Sequence, residues 1–375
     1  MNRLLAWAAF LSIAISTPLS KLTTAQDASR DKSWSSTRQQ SDPNGAVNPT
    51  RTTETHSESN GRTVEATTMQ AVGPDGRYVP YSLTEKESVR VDKNTVRTIE
   101  RTYGTGPDGQ KVLVQQTQEE SQSLPGGEQK VARTTSSPDA NGKLQMVRRE
   151  LEDSRQVSTG VRETNTTVYS ANGNGGMSAA VQVHERETQA SDGSVQFSKS
   201  TQLADGAGHW NVSEVRQGTI KPEDGQASRK EEDILRPDAD GKLAVVERKV
   251  SKQSSAAGET RATNETYSTN VPGQAGNEGL QLVQRESTVQ RNASGRASTV
   301  RQVEGANPGN PGDGLRVTQQ AIDIVHPDGR GSAEQKSTVA TFGPDGQGHT
   351  ALVDIGNTSN PGVVRVDTQT APKAK

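Results

Sequence analysis

The chain has 375 residues, with 43 Lys or Arg against 45 Asp or Glu, a formal net charge of −2, no Cys, and only 29% hydrophobic and 3% aromatic residues. That composition is too poor in apolar side chains to build the deep core with which an ordinary domain of this length offsets its chain entropy. The balanced charge and the scarcity of aromatic rings exclude the basic, base-stacking footprint of a nucleic-acid binder. Without Cys there are no disulfides and no thiolate metal sites.

The N-terminus reads as a secretory signal over residues 1–25. Arg3 supplies the positive start, Leu4 to Ile15 an apolar run, and Thr23-Thr24-Ala25 a small-residue cleavage site before Gln26. The run is too short for a spanning helix, and no later stretch resembles one, so no transmembrane segment is expected in the mature chain. Export to the periplasm, the cell surface or the medium follows. Residues 26–58 are rich in Ser, Thr, Arg, Asn and Gln without apolar periodicity, and read as a disordered polar linker.

From about residue 59 to 368 the chain is repetitive. Gly76, Gly109, Gly142, Gly175, Gly208 and Gly241 stand 33 residues apart. A second series, Gly61, Asn94, Gly127, Gly160 and Gly193, keeps the same spacing, and Gly225 and Gly258 continue it after a slip of one residue. Glycine and asparagine tolerate positive φ, and neighbours such as Pro74-Asp75, Pro107-Asp108 and Asp240 are turn formers, so each unit contains two turns. Between turns, Thr, Val, Gln, Arg and Glu alternate with period two, as in Met177-Ala179-Val181-Val183 and Val195-Phe197. The expected fold is all-β: an extended antiparallel β-meander of 33-residue hairpin repeats, about 18 strands, with little hydrophobic core. Apolar residues such as Tyr78, Tyr81, Val112, Val114, Leu144 and Met146 cluster after the first-series glycines and predict a narrow stripe of burial near one edge. Residues 369–375 read as a disordered tail.

Asp139-Ala140-Asn141-Gly142-Lys143-Leu144 and Asp238-Ala239-Asp240-Gly241-Lys242-Leu243 resemble the D-x-x-G-x-L piece of the YD repeats of Rhs-type secreted shells. The resemblance covers two turns and lacks the preceding Tyr; it implies shared hairpin chemistry.

No residue set points to catalysis, a cofactor or a metal. Gly104 to Gly109 satisfies G-x-G-x-x-G, but Pro107-Asp108 followed by Lys111-Val112-Leu113-Val114 predicts a hairpin where the dinucleotide motif needs a helix. Asp238, Asp240 and Glu247 echo a calcium loop whose first ligand position is the cation Arg236. His56, His184, His209, His326 and His349 are scattered. Gly176-Met177-Ser178 lacks the last glycine of a nucleophile elbow, and the acidic runs Glu119-Glu120 and Glu231-Glu232-Asp233 lack a cleft to desolvate one carboxylate.

An outer-membrane barrel needs a lipid-facing apolar band with aromatic girdles, which this composition does not offer. The expectation is therefore a non-enzymatic exported protein with a structural or interaction role at the cell envelope or outside the cell. It would self-associate through sheet edges or engage envelope protein or polysaccharide. The alternative is a carbohydrate- or other ligand-binding module using exposed aromatics, above all Tyr103 and Tyr169, which are two units apart and share a register.

Overall fold

The computed structural model describes residues 31–359, apart from residues 42–46, 60, 107, 224–226, 271–278, 294, 308–313, 328–331 and 344–345. The expected signal and tail lie outside the described residues. What is described is 79% strand, all of it antiparallel.

The first strands are β1 (Asp31–Ser41), β2 (Val47–Ser59), β3 (Arg62–Val72), β4 (Tyr78–Arg90), β5 (Thr95–Thr105) and β6 (Lys111–Ser123). After a single 3-10 turn come β7 (Gln129–Pro138), β8 (Leu144–Ser158), β9 (Val161–Ala171), β10 (Met177–Gln189), β11 (Val195–Ala204) and β12 (Trp210–Glu223). The rest are β13 (Ala227–Pro237), β14 (Leu243–Ala256), β15 (Glu259–Ser268), β16 (Gln281–Ala293), β17 (Arg296–Ala306), β18 (Leu315–Pro327), β19 (Ser332–Phe342) and β20 (Gly348–Ser359).

The meander of hairpins is as expected, with two differences. Among the described residues there are twenty strands, because β1 and β2 occupy most of the stretch read as a disordered linker. Their Thr, Ser and Gln residues carry no apolar alternation, yet a pleated strand needs only partners for its backbone groups, and β3 provides them through ten residue pairs with β2. The second difference concerns the edges. β1 pairs with β2 on one side and, from Ser35↔Ser359 to Gln40↔Asp354, with β20 on the other. The hydrogen-bonded ladder therefore closes on itself, and the free edge expected from the sequence is absent among the described strands.

The turns explain the register. All six glycines of the first series have positive φ, from 75° at Gly109 to 100° at Gly208. In the Asp139 turn, Asp139 N–H donates to Lys143 O at 2.9 Å and Gly142 N–H to Asp139 O at 2.9 Å. That is a tight turn closed by a left-handed residue, which only glycine supplies without strain. A further series of the same period begins each turn: Gly73, Gly106, Asp139, Asn172, Asp205 and Asp238. In the last four the side-chain Oδ1 accepts backbone N–H groups across the turn, as Asp139 does from Asn141 at 2.8 Å and Lys143 at 2.9 Å. In the second series, Asn94 departs from the reading of a positive-φ turn, since Ala257 is the one non-glycine residue with positive φ among those described. There Asp92 Oδ1 accepts from Asn94 N–H at 2.7 Å and Thr95 N–H at 2.8 Å, so a side-chain acceptor takes the place of left-handed backbone.

Each first-series hairpin also carries a β-bulge a few residues from its turn. The extra residues are Tyr81, Val114, Val147, Ala180, Ser213 and Val246, again 33 apart. Bulges bend and twist a strand pair, so a bulge in every unit gives a curvature that accumulates around the ring.

Direct partners in an antiparallel ladder share a face. From Glu232 the row runs through Gly218, Phe197 and Glu187 in one direction and through Lys249 and Thr266 in the other, and the same parity, carried round all twenty strands, returns to itself across the β1/β20 pairing. Most buried side chains lie on this face, among them Ser154, Val168, Glu232, Ile234, Thr288, Ala321, Asp323 and Val339; Thr95 and Val250 are exceptions. Side chains converge on the inside of a closed ring, so this is the inward face. The predicted apolar stripe is not a core: Tyr81, Val112, Val114, Met146 and Leu243 are exposed, Tyr78 and Leu144 are half-buried, and together they form a collar at the bulged rim.

Gly218 marks the tightest approach at any described glycine. A Cβ there would lie 1.9 Å from the Glu231 carbonyl oxygen and 2.8 Å from Phe197 Cζ. The Phe197 ring covers the gap, and the Lys230 ammonium sits 4.8 Å from that ring. Gly142, by contrast, has open space around it and needs glycine only for its φ of 76°. Gly218→Ala is expected to destabilise the ring by about 1–3 kcal/mol or more, and Gly142→Ala by about 1–2 kcal/mol. Urea unfolding of the two variants checks the order; a cost at Gly218 no larger than at Gly142 contradicts the close packing described.

Candidate functional site

The inward wall is polar along most of its circumference. Across β6 to β10 it presents, in direct register, Glu119, Arg133, Glu150 and Val168, then Ser121, Val131, Glu152, Thr166 and Val183 one rung on. Strand periodicity puts these residues inward because every second side chain must face the same way. Arg133 joins three strands, donating from Nη2 to Glu119 Oε2 at 2.6 Å and from Nη1 to Glu150 Oε1 at 2.9 Å. Arg301 grips Glu286 with two bonds of 2.7 and 3.0 Å, and Lys199 meets Glu185 at 2.5 Å. Ser88 with Thr98 at 3.0 Å and Ser154 with Thr164 at 2.8 Å add hydroxyl pairs. This surface offers charge and hydrogen bonds to water and to hydrophilic solutes.

The outward face alternates apolar residues with ion pairs. Ile99, Tyr103, Leu113, Leu151, Tyr169, Leu235 and Ile322 share it with Arg97–Glu120 at 3.0 Å, Arg186–Glu163 at 3.0 Å, Arg248–Asp233 at 2.6 Å and Arg285–Glu265 at 2.9 Å. Each exposed pair contributes little, roughly 0–1 kcal/mol. Their number matters more than their strength, because both faces are held by such contacts.

Tyr103 and Tyr169 do share the outward face, as their register implies. They stand on β5 and β9, four strands and so about 19 Å apart at the usual interstrand spacing. The Lys111 ammonium lies 3.7 Å from the centroid of the Tyr103 ring and covers one side of it. Two rings so placed do not form one stacking platform. The Tyr78 ring is likewise covered by Arg51 at 4.1 Å.

The other residues singled out from the sequence fall into place as wall and turn. Gly106 N–H donates to Gln110 O at 2.8 Å, closing the glycine-rich stretch into a hairpin. Asp238 spends Oδ1 on Asp240 and Lys242 N–H groups, and no group of three or more His, Cys, Asp or Glu fit to hold a metal occurs among the described residues. The run Glu231-Glu232-Asp233 is split between faces: Glu232 turns inward to Lys230 at 2.9 Å, Asp233 outward to Arg248, and Glu231 pairs with Arg229. His56, His184 and His209 meet Glu65, Asn165 and Asp205 singly.

The backbone bonds at the turns hold the carboxyl groups of Asp139 and Asp205 below the usual carboxylate range; at Asp192 the Ser194 hydroxyl is the first cause and its N–H the next. A depressed folded-state pKa contributes stability above the unfolded value, near 3.9, and that contribution is lost as pH falls through the folded value. Asp139→Asn keeps the acceptor, as Asn172 does at the same register, and removes the titration. The variant should unfold less steeply than the parent between about pH 4 and pH 2, followed by thermal melts; identical acid profiles contradict this role. Arg133→Met should cost about 1 kcal/mol and Arg97→Met a few tenths, since Arg133 serves two carboxylates and Arg97 one. Equal midpoints in urea contradict it.

No protein-family model matches the chain, and no curated protein matches it in sequence. Solved structures do. The fold is similar to that of the siderophore receptor PirA from Acinetobacter baumannii, with a TM-score of 0.53 at 5% identity, over 89% of this chain and 81% of that one. PirA from Pseudomonas aeruginosa gives 0.50 at 9% identity over the same shares. The FrpB iron transporter from Neisseria meningitidis aligns over 88% of this chain and 81% of its own at 7% identity, with a TM-score of 0.47.

These findings correct the functional expectation. The fold is similar to that of two siderophore receptors, and the free edge on which self-association or strand capture depended is paired. The ligand module built on exposed aromatics loses its platform with the separation of Tyr103 and Tyr169. The expectation of a mature chain without transmembrane segments, exported to the periplasm, the cell surface or the medium, rested on the search for apolar helical runs. No described helix is long and apolar enough to cross a membrane, which says nothing of strands, and rings of strands can cross one.

Proposed function

We propose that the chain is a cell-envelope barrel that passes or takes up small hydrophilic solutes through its interior. The observation that carries this reading is the closed ladder with a polar inward face, in which Glu119, Arg133, Glu150, Glu152, Thr164 and Thr166 line the same side of neighbouring strands. Large strand rings of this kind enclose channels or plugged lumens, and the likeness in fold to a siderophore receptor supports a role in transport over one in scaffolding. No catalytic step belongs to this reading.

Vesicles containing the folded chain should swell in small sugars, and planar bilayers should show stepwise conductance. Parity makes the test specific. Thr166 faces inward and Thr167, its neighbour on β9, outward, so Thr166→Arg should change the conductance while Thr167→Arg leaves it at the parent value. Vesicles that stay tight around a folded ring, or an effect confined to Thr167→Arg, overturn the proposal.

A further inference from the structure

We draw no further inference here: the strongest candidate, the polar cavity of about 550 Å³ across β10 to β14 lined by Arg186, Gln196, Gln217, Glu232 and Arg248, carries nothing because its arginines already hold carboxylates, the unpartnered Glu232 Oε1 is buried beneath the surface, and nothing in the structure shows what covers it.

Discussion

Backbone hydrogen bonding is the constraint from which the rest of this structure follows. A chain with so few apolar side chains must still satisfy its N–H and C=O groups, and a strand at the end of a sheet leaves one row of them open. Pairing β20 with β1 removes both open rows at once. Closure needs no apolar band, because that band is a requirement of contact with lipid and not of joining strands. The poverty of apolar and aromatic residues bears on contact with lipid and leaves the pairing of β1 with β20 untouched.

Stability in such a ring is spread thinly. The fully buried hydrophobic side chains are few, Ile234 being the largest, and the inward and outward faces are stitched by cross-strand ion pairs and hydroxyl pairs of modest individual strength. What makes the sum cooperative is repetition: every strand depends on both neighbours, and β1 and β20 are neighbours too. Local packing matters most where the wall is pinched, at Gly218 under Phe197. There one missing Cβ lets two strands approach, and an aromatic ring with Lys230 above it seals the gap.

The sequence shows its turns openly, because a left-handed backbone position admits little besides glycine, and Gly76 through Gly241 keep an unbroken spacing. The turn-opening series from Gly73 to Asp238 was equally available, but its members share a hydrogen-bonding task and not a residue type. Closure was not legible. It depends on residues more than 300 positions apart, and Ser35 to Gln40 carry no pattern that names Asp354 to Ser359 as partners. The strands β1 and β2 were hidden for a related reason, since Thr, Ser and Gln strands lack the apolar alternation by which strands are recognised. Of the inward wall, alternation shows which residues share a face, but only curvature decides which face is inside, and the bulges at Tyr81, Val114 and Val147 that supply it look like ordinary strand residues. Tyr103 and Tyr169 stand two units apart in the sequence, but the strand count between them, which sets the distance that separates them, emerges only from the pairing.

The most direct test concerns the joint between the first and last strands. Thr37 and Asn357 are direct partners across it, and the chain has no Cys of its own, so Thr37→Cys with Asn357→Cys introduces a single thiol pair. Oxidation, or a short thiol crosslinker, applied to dilute folded protein should link the two within one molecule, giving a monomer that migrates as a cyclised chain. Thiols that stay free, or that join only between molecules, would show that the ring does not close.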